Sequence, residues 1–233
     1  MLWRYRAGMD RATTPLSHHT LSQDPELADW RVILGTLQAR FSTGERGFAA
    51  GVELATRAAV AADEMDHHPD IDLRYDHVTV TTVSHDVHAL TERDRRMAIE
   101  ISRIAADLGL EPRPEQVSGL EVGLDVLSDE DVAPFWRAVL GYEDQGGDLV
   151  DPGARHAGLW FQQMQEPRRE RNRMHLDITV PHDVAEQRLE RALAAGGRLV
   201  TDEFAPSWWV LADAEGNEVC ICTWQGRGED DPE

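Results

Sequence analysis

Asp63, His67, His68, Tyr75, His85 and Asp94 bring three imidazoles, a phenol and two carboxylates into one short stretch of chain. Histidine is the side chain whose ordinary pKa lies nearest neutral pH. A carboxylate beside it can fix its tautomer and favour its protonated form. A His positioned in this way can pass a proton to or from a small molecule. The chemistry these residues suggest is acid–base catalysis, with neither a metal nor an organic cofactor required.

Such a site depends on how the chain delivers its parts. Residues 48–66 carry Phe48, Val52, Leu54, Ala55, Ala59, Ala62 and Met65 at roughly helical spacing, which predicts a helix. Pro69 biases His68 out of the helical region, so the helix ends at about His67. Asp63 lies four residues before His67, on the same helical face, and is placed to orient an imidazole there. An unbroken strand from Asp72 to His85 would carry His85 roughly 40 Å away. A hairpin turning at Tyr75-Asp76-His77 would return it, with Leu73 and Tyr75 alternating before the turn and Val78, Val80 and Thr82 after it. Thr91-Glu92-Arg93-Asp94 reads as a Thr-x-x-Asp capping box that opens the next helix. Asp94 is therefore read both as a cap and as a group holding the substrate or the local loop. Tyr75 is read as a substrate contact or a core aromatic. His18, His19, His77, His88, His156 and His182 are read as surface or structural residues.

Asp63, His67-His68-Pro69, Tyr75, His85 and Asp94 together resemble the signature of the pterin-4a-carbinolamine dehydratases over residues 25–110. Trp30 and a first hairpin, Arg31 to Leu34 and Leu37 to Phe41 turning at Gly35, resemble the flanks of that family. Ala89 replaces a glycine usual there. The resemblance implies a hydro-lyase that removes water from a 4a-hydroxytetrahydropterin, with His67 and His85 as the acid–base pair and His68 positioning the ring. It also implies a pterin substrate, no cofactor, and a homo-oligomer. The acidic surface favours a dimer over a tetramer.

Composition narrows the classes. A net charge of −20 over 233 residues argues against a nucleic-acid-binding face. The chain has no Lys, which removes Schiff-base chemistry and the P-loop lysine. No apolar run is long enough for a membrane span and no signal-peptide core is present, so the expected location is the cytoplasm. Residues 1–24 read as a loose tail, 25–111 as the dehydratase-like domain, Leu110 to Glu115 as a linker, 112–225 as a second domain and 226–233 as a frayed end.

The second domain repeats a βαβββ pattern. The first copy runs through strand Gly119–Val126, helix Asp129–Leu140 and strands near Asp144, Leu149 and Leu159–Met164. The second runs through strand Arg173–Val180, helix Asp183–Ala195 and strands near Leu199, Trp209 and Val219–Cys222. With Phe135-Trp136-Arg137-Ala138-Val139-Leu140-Gly141 and the Asp213-Ala214-Glu215-Gly216-Asn217-Glu218 turn, it resembles the glyoxalase-like vicinal oxygen chelate domains. The resemblance implies ligand positions at Glu121, Gln162 or Gln163, His175 and Cys220. That mixed set fits no standard divalent site well, so no metal is expected. Cys220 and Cys222 read as buried small residues. Trp136, Trp160, Trp208, Trp209 and Trp224 suggest an aromatic-lined pocket between the two copies.

The fold class expected is α+β in two domains, an antiparallel ββαββα layer pair followed by paired βαβββ units. The main function expected is pterin carbinolamine dehydration. Two other readings are a small-molecule-binding or dimerisation protein and a lyase or dioxygenase seated in the second domain.

Overall fold

The computed structural model describes residues 13–167, 175–181, 183–223 and 225–226. The protein is α+β and divides into two compact units between Gly119 and Leu120. No helix among the described residues is long and apolar enough to cross a membrane.

The first unit begins with a short helix α1 (His18–Ser22), capped by the Ser17 side chain. Two strands follow, β1 (Arg31–Ile33) and β2 (Thr36–Ser42). Leu34 and Gly35 both take positive φ between them, 46° and 76°, as a tight two-residue hairpin requires. Helix α2 (Gly47–Met65) leads into β3 (Asp70–Leu73) and β4 (His77–Thr82), and helix α3 (Glu92–Asp107) and a short strand β5 (Glu111–Pro112) complete the unit. The sheet order is β1-β2-β4-β3, with β5 also paired to β2 and every pairing antiparallel. Leu37, Ala39 and Phe41 on β2 and Val78 and Val80 on β4 alternate inward against Leu54 and Ala58 of α2 and Met97 and Ile101 of α3. Each large apolar chain buried this way contributes roughly 1.5–3 kcal/mol.

Two segments differ from the sequence expectation. Part of the supposed tail is structured: Leu21 is buried in the core, and Asp24 pairs with Arg95 of α3. The supposed linker at Leu110–Glu115 belongs to the first unit, because Glu111 and Pro112 pair with Ser42 and Phe41. Neither feature has a periodic signal, since both are held by contacts remote in sequence. Residues 1–12, Arg173, Met174, His182, Trp224 and residues 227–233 lie outside the described residues.

The second unit holds β6 (Glu121–Val126), α4 (Asp129–Leu140), β7 (Glu143–Gln145), β8 (Asp148–Val150) and β9 (Gly158–Gln163), then β10 (Leu176–Thr179), α5 (Ala185–Ala194), β11 (Arg198–Thr201), β12 (Trp208–Ala212) and β13 (Glu218–Cys222). Its sheets run β6-β9-β8-β7 and β10-β13-β12-β11, each with one parallel pair, β6 with β9 and β10 with β13. The two copies share one core that includes Val126, Phe135, Trp136, Leu211 and Ile221. The Asp213–Asn217 turn is fastened to the first copy, with Trp136 Nε1 donating to Asp213 at 3.0 Å and the Glu215 carboxylate accepting from the Leu127 and Ser128 amides.

Candidate active site

Helix α2 stops one residue earlier than the spacing suggests. Asp66 takes the left-handed conformation (φ 49°, ψ 43°), and the His67 amide then bonds back to the Ala62 carbonyl at 3.1 Å. This reversal drives His67 inward, to 7 % exposure, and leaves His68 exposed. His67 Nε2 lies 2.8 Å from Asp94 Oδ1 and 3.0 Å from Thr82 Oγ1.

Asp94 is wholly buried at the start of α3. Its Oδ1 accepts from the Thr82 hydroxyl at 2.9 Å. Its Oδ2 accepts from the Ser84 hydroxyl at 2.7 Å and the Thr91 amide at 2.8 Å, the second contact completing the capping box. Burial alone would raise this carboxyl. The hydrogen bonds from His67, Ser84, the Thr91 amide and Thr82 outweigh it and hold the group below its ordinary pKa. Asp94 is thus an ionised acceptor whose oxygens are both engaged. Because the Thr82 hydroxyl proton goes to Asp94, His67 Nε2 must carry its own hydrogen.

The other predicted residues fall as follows. Asp63 pairs with His68 rather than His67, Oδ1 to Nε2 at 3.0 Å, with both side chains exposed. The left-handed residue at 66 turns His67 off the helical face that the spacing assigned to it. His85 is exposed in the loop after Ser84, whose hydroxyl shares Asp94 with His67. His85 follows Ser84, so its Cα lies about 3.8 Å from that of a residue bonded to Asp94. The hairpin that returns it turns at Arg74–Asp76, with the Arg74 amide donating to the His77 carbonyl. Tyr75 sits on the tip of that turn, 84 % exposed and outside the core. It lies at the end of the hairpin away from His67, roughly 15 Å distant by strand rise. Ala89 bridges to Ser84, and the neighbouring residue with positive φ is His88, so position 89 itself needs no glycine.

Thr82 and Ser84 were not singled out from sequence. A signal existed for Thr82: it continues the inward alternation of Val78 and Val80, and a polar residue in a core-facing register calls for a buried partner. Ser84 had no comparable signal.

In the second unit, the donor atoms of His175, Asp177 and Cys220 lie within 4.8 Å of one another. Asp177 enters through the β10–β13 register, in which it stands opposite Cys220. Burial, and then the hydrogen bond to Asp177, push the Cys220 thiol up to about 12. Glu121 and Trp160 are exposed on β6 and β9. Gly123 stands opposite Trp160, where an added Cβ would meet the indole at 2.8 Å. Gln162, on the same alternation as Trp160, is also exposed.

The fold and geometry define an α+β protein with a carboxylate-held imidazole and, following Ser84, a loop that exposes His85. A family model described as pterin 4 alpha carbinolamine dehydratase matches residues 14–104, and one described as a glyoxalase-like domain matches residues 121–222. A Mycolicibacterium smegmatis protein named "Putative pterin-4-alpha-carbinolamine dehydratase" is 41% identical over 85 residues, covering 36% of this chain and 86% of that protein. A Herpetosiphon aurantiacus protein of the same name is 40% identical over 77 residues, covering 33% and 78% respectively. Among solved structures, a transcriptional coactivator/pterin dehydratase from Brucella melitensis matches at TM-score 0.36 and 25% identity, over 40% of this chain and 99% of that one. The fosfomycin resistance protein FosX from Mesorhizobium loti matches at TM-score 0.37 and 14% identity, over 46% and 92%. Through its first unit the chain belongs to the pterin-4a-carbinolamine dehydratase family, and it carries a glyoxalase-like domain as its second.

Proposed function

We propose that the first unit dehydrates a 4a-hydroxytetrahydropterin to the quinonoid dihydropterin. The observation that carries this reading is the buried His67, whose Nε2 lies 2.8 Å from the ionised Asp94 carboxylate. In the reaction an acid protonates the departing C4a hydroxyl, which leaves as water, and a base removes the N5 proton. The C4a–O bond breaks and a C=N bond forms, with no net redox change. His67 and His85 are the acid–base pair, in an order left open. His68, steadied by Asp63, positions the ring. A positioned imidazole is the commonest side-chain acid or base for steps of this kind. Asp94 acts behind His67 and holds the loop rather than meeting substrate. Stopped-flow mixing of the protein with freshly generated 4a-hydroxytetrahydropterin should show dehydration above the uncatalysed rate. An unchanged rate would count against the reading.

The family resemblance supports a homo-oligomer and the acidic surface favours a dimer as its form, which light scattering at micromolar concentration checks. For the second unit the best-supported role is small-molecule binding. Trp160 stands 37 % exposed with Gly123 opposite it, offering an aromatic face to a flat ligand. Titration with an oxidised pterin, followed by the change in Trp fluorescence between wild type and Trp160→Phe, tests that role.

A further inference from the structure

The loop that carries His85 is fastened at its base by Ser84 and Ala89, which form an isolated antiparallel bridge. The Val87 amide donates to the Ser84 carbonyl at 3.2 Å, and His88 turns the chain with φ 47°. Nearer the tip of the loop, Asp86 Oδ1 accepts from Nη2 of Arg93 at 2.5 Å.

Arg93 is in an unusual place. It stands in the first turn of α3, between the acidic Glu92 and Asp94. A cation at a helix N-terminus meets the positive end of the dipole, so helix formation does not favour it there. Its side chain is only 24% exposed, and its Nε is buried without a hydrogen-bond partner. A buried unpaired donor costs free energy, so this arm is held inward by something other than solvation. An exposed ion pair contributes little to stability by itself. What the pair does supply is a geometric link from the loop to the turn of α3 that also holds Asp94. The Arg93 amide donates to Thr91 Oγ1 at 3.2 Å, and the Thr91 amide donates to Asp94 Oδ2 at 2.8 Å. The loop and the His67 network thus share one anchor.

We propose that Arg93 is a positioning residue: its pairing with Asp86 closes the Ser84–Ala89 loop onto the first turn of α3 and sets the place of His85 relative to His67. The effect on the reaction rests on the dehydratase reading, whereas the effect on the loop does not. The hydrogen bond from Arg93 is the largest cause holding the Asp86 carboxyl below its ordinary range, so the pair is charged at neutral pH.

The test uses the full chain as wild type, Arg93→Ala, Arg93→Lys, Asp86→Asn and the double variant Arg93→Ala/Asp86→Asn. Stopped-flow dehydration gives kcat and KM, and amide hydrogen exchange follows residues 85–88 beside the α3 amides. Misplacement of a reacting group by about 1 Å can cost up to 10²-fold in rate. Arg93→Ala and Asp86→Asn should each lower kcat/KM about 10-fold, speed exchange at 85–88 and leave α3 protected. Arg93→Lys, which keeps the charge, should recover most of the activity, and the double variant should be no worse than either single one. Wild-type kcat/KM in Arg93→Ala, or unchanged exchange at 85–88, would overturn the proposal. Failure of the wild-type protein to dehydrate the substrate would remove the dehydratase reading instead. The exchange comparison would then uphold or overturn the loop closure by itself.

Discussion

His67 and His85, the acid–base pair of the proposed reaction, differ in burial. His67 is buried against Asp94, so His67→Ala removes a partner from an interior carboxylate. It should lower the dehydration rate by ~10²-fold or more and also cost about 3 kcal/mol of stability in urea unfolding. His85 is exposed, and His85→Ala should match that loss of rate while shifting stability by less than about 0.5 kcal/mol. Equal destabilisation of the two variants would contradict the burial pattern. Asp94 adds a pH dependence. Its folded pKa is depressed, so its stabilising contribution is present above the ordinary carboxylate pKa and is lost as pH falls through the lowered folded value. Asp94→Asn should therefore be markedly less stable than wild type at pH 7, and the difference should narrow at the acid end, as followed by urea unfolding across the range. Spacing marked His67, His68, His85 and Asp94 as candidates, but it did not foretell the pairing of His67 with Asp94. The pairing of Asp63 with His68 was not legible either, because one left-handed residue, Asp66, redirects the two imidazoles and helical periodicity carries no trace of it.

At the level of elements, the ends of α2 and α3 decide the site. Asp66 holds a conformation that favours glycine, so Asp66→Gly should raise stability by about 0.5 kcal/mol, read as a higher Tm, provided His67 keeps its place. Thr91 caps α3 through its hydroxyl and amide, and Thr91→Ala should cost about 1 kcal/mol. That variant should also slow dehydration, since the same cap orders Asp94. The β3–β4 hairpin and the α3 cap were readable in advance, because alternation around Tyr75-Asp76-His77 and the Thr-x-x-Asp spacing are local signals. The docking of α1 and the pairing of β5 were not, because Leu21, Asp24 and Glu111 find their partners only through remote contacts. In the second unit the βαβββ repeat was legible from its strands and turns. The entry of Asp177 beside His175 and Cys220 follows from strand register, which the sequence pattern alone left unspecified.

On the scale of the whole molecule, two separate cores serve two units, and the dehydratase family model matches residues 14–104, within the first. A chain of residues 13–119 should therefore fold by itself and dehydrate the substrate within about 3-fold of the full protein, less than one 1.4 kcal/mol step in barrier. A collapse of either property would show that the second unit supports the first. The His67–Asp94 pair also bears on how such a chain can change over generations. Active-site groups often weaken a fold, so that losing them is easily tolerated. Here the buried pair is part of the fold, while His68 and His85 are exposed and can be replaced without structural penalty. A descendant that abandons the reaction should lose His68 or His85 first and keep His67 and Asp94. In any inactive relative, the surviving pair would record how the protein folds rather than what it does.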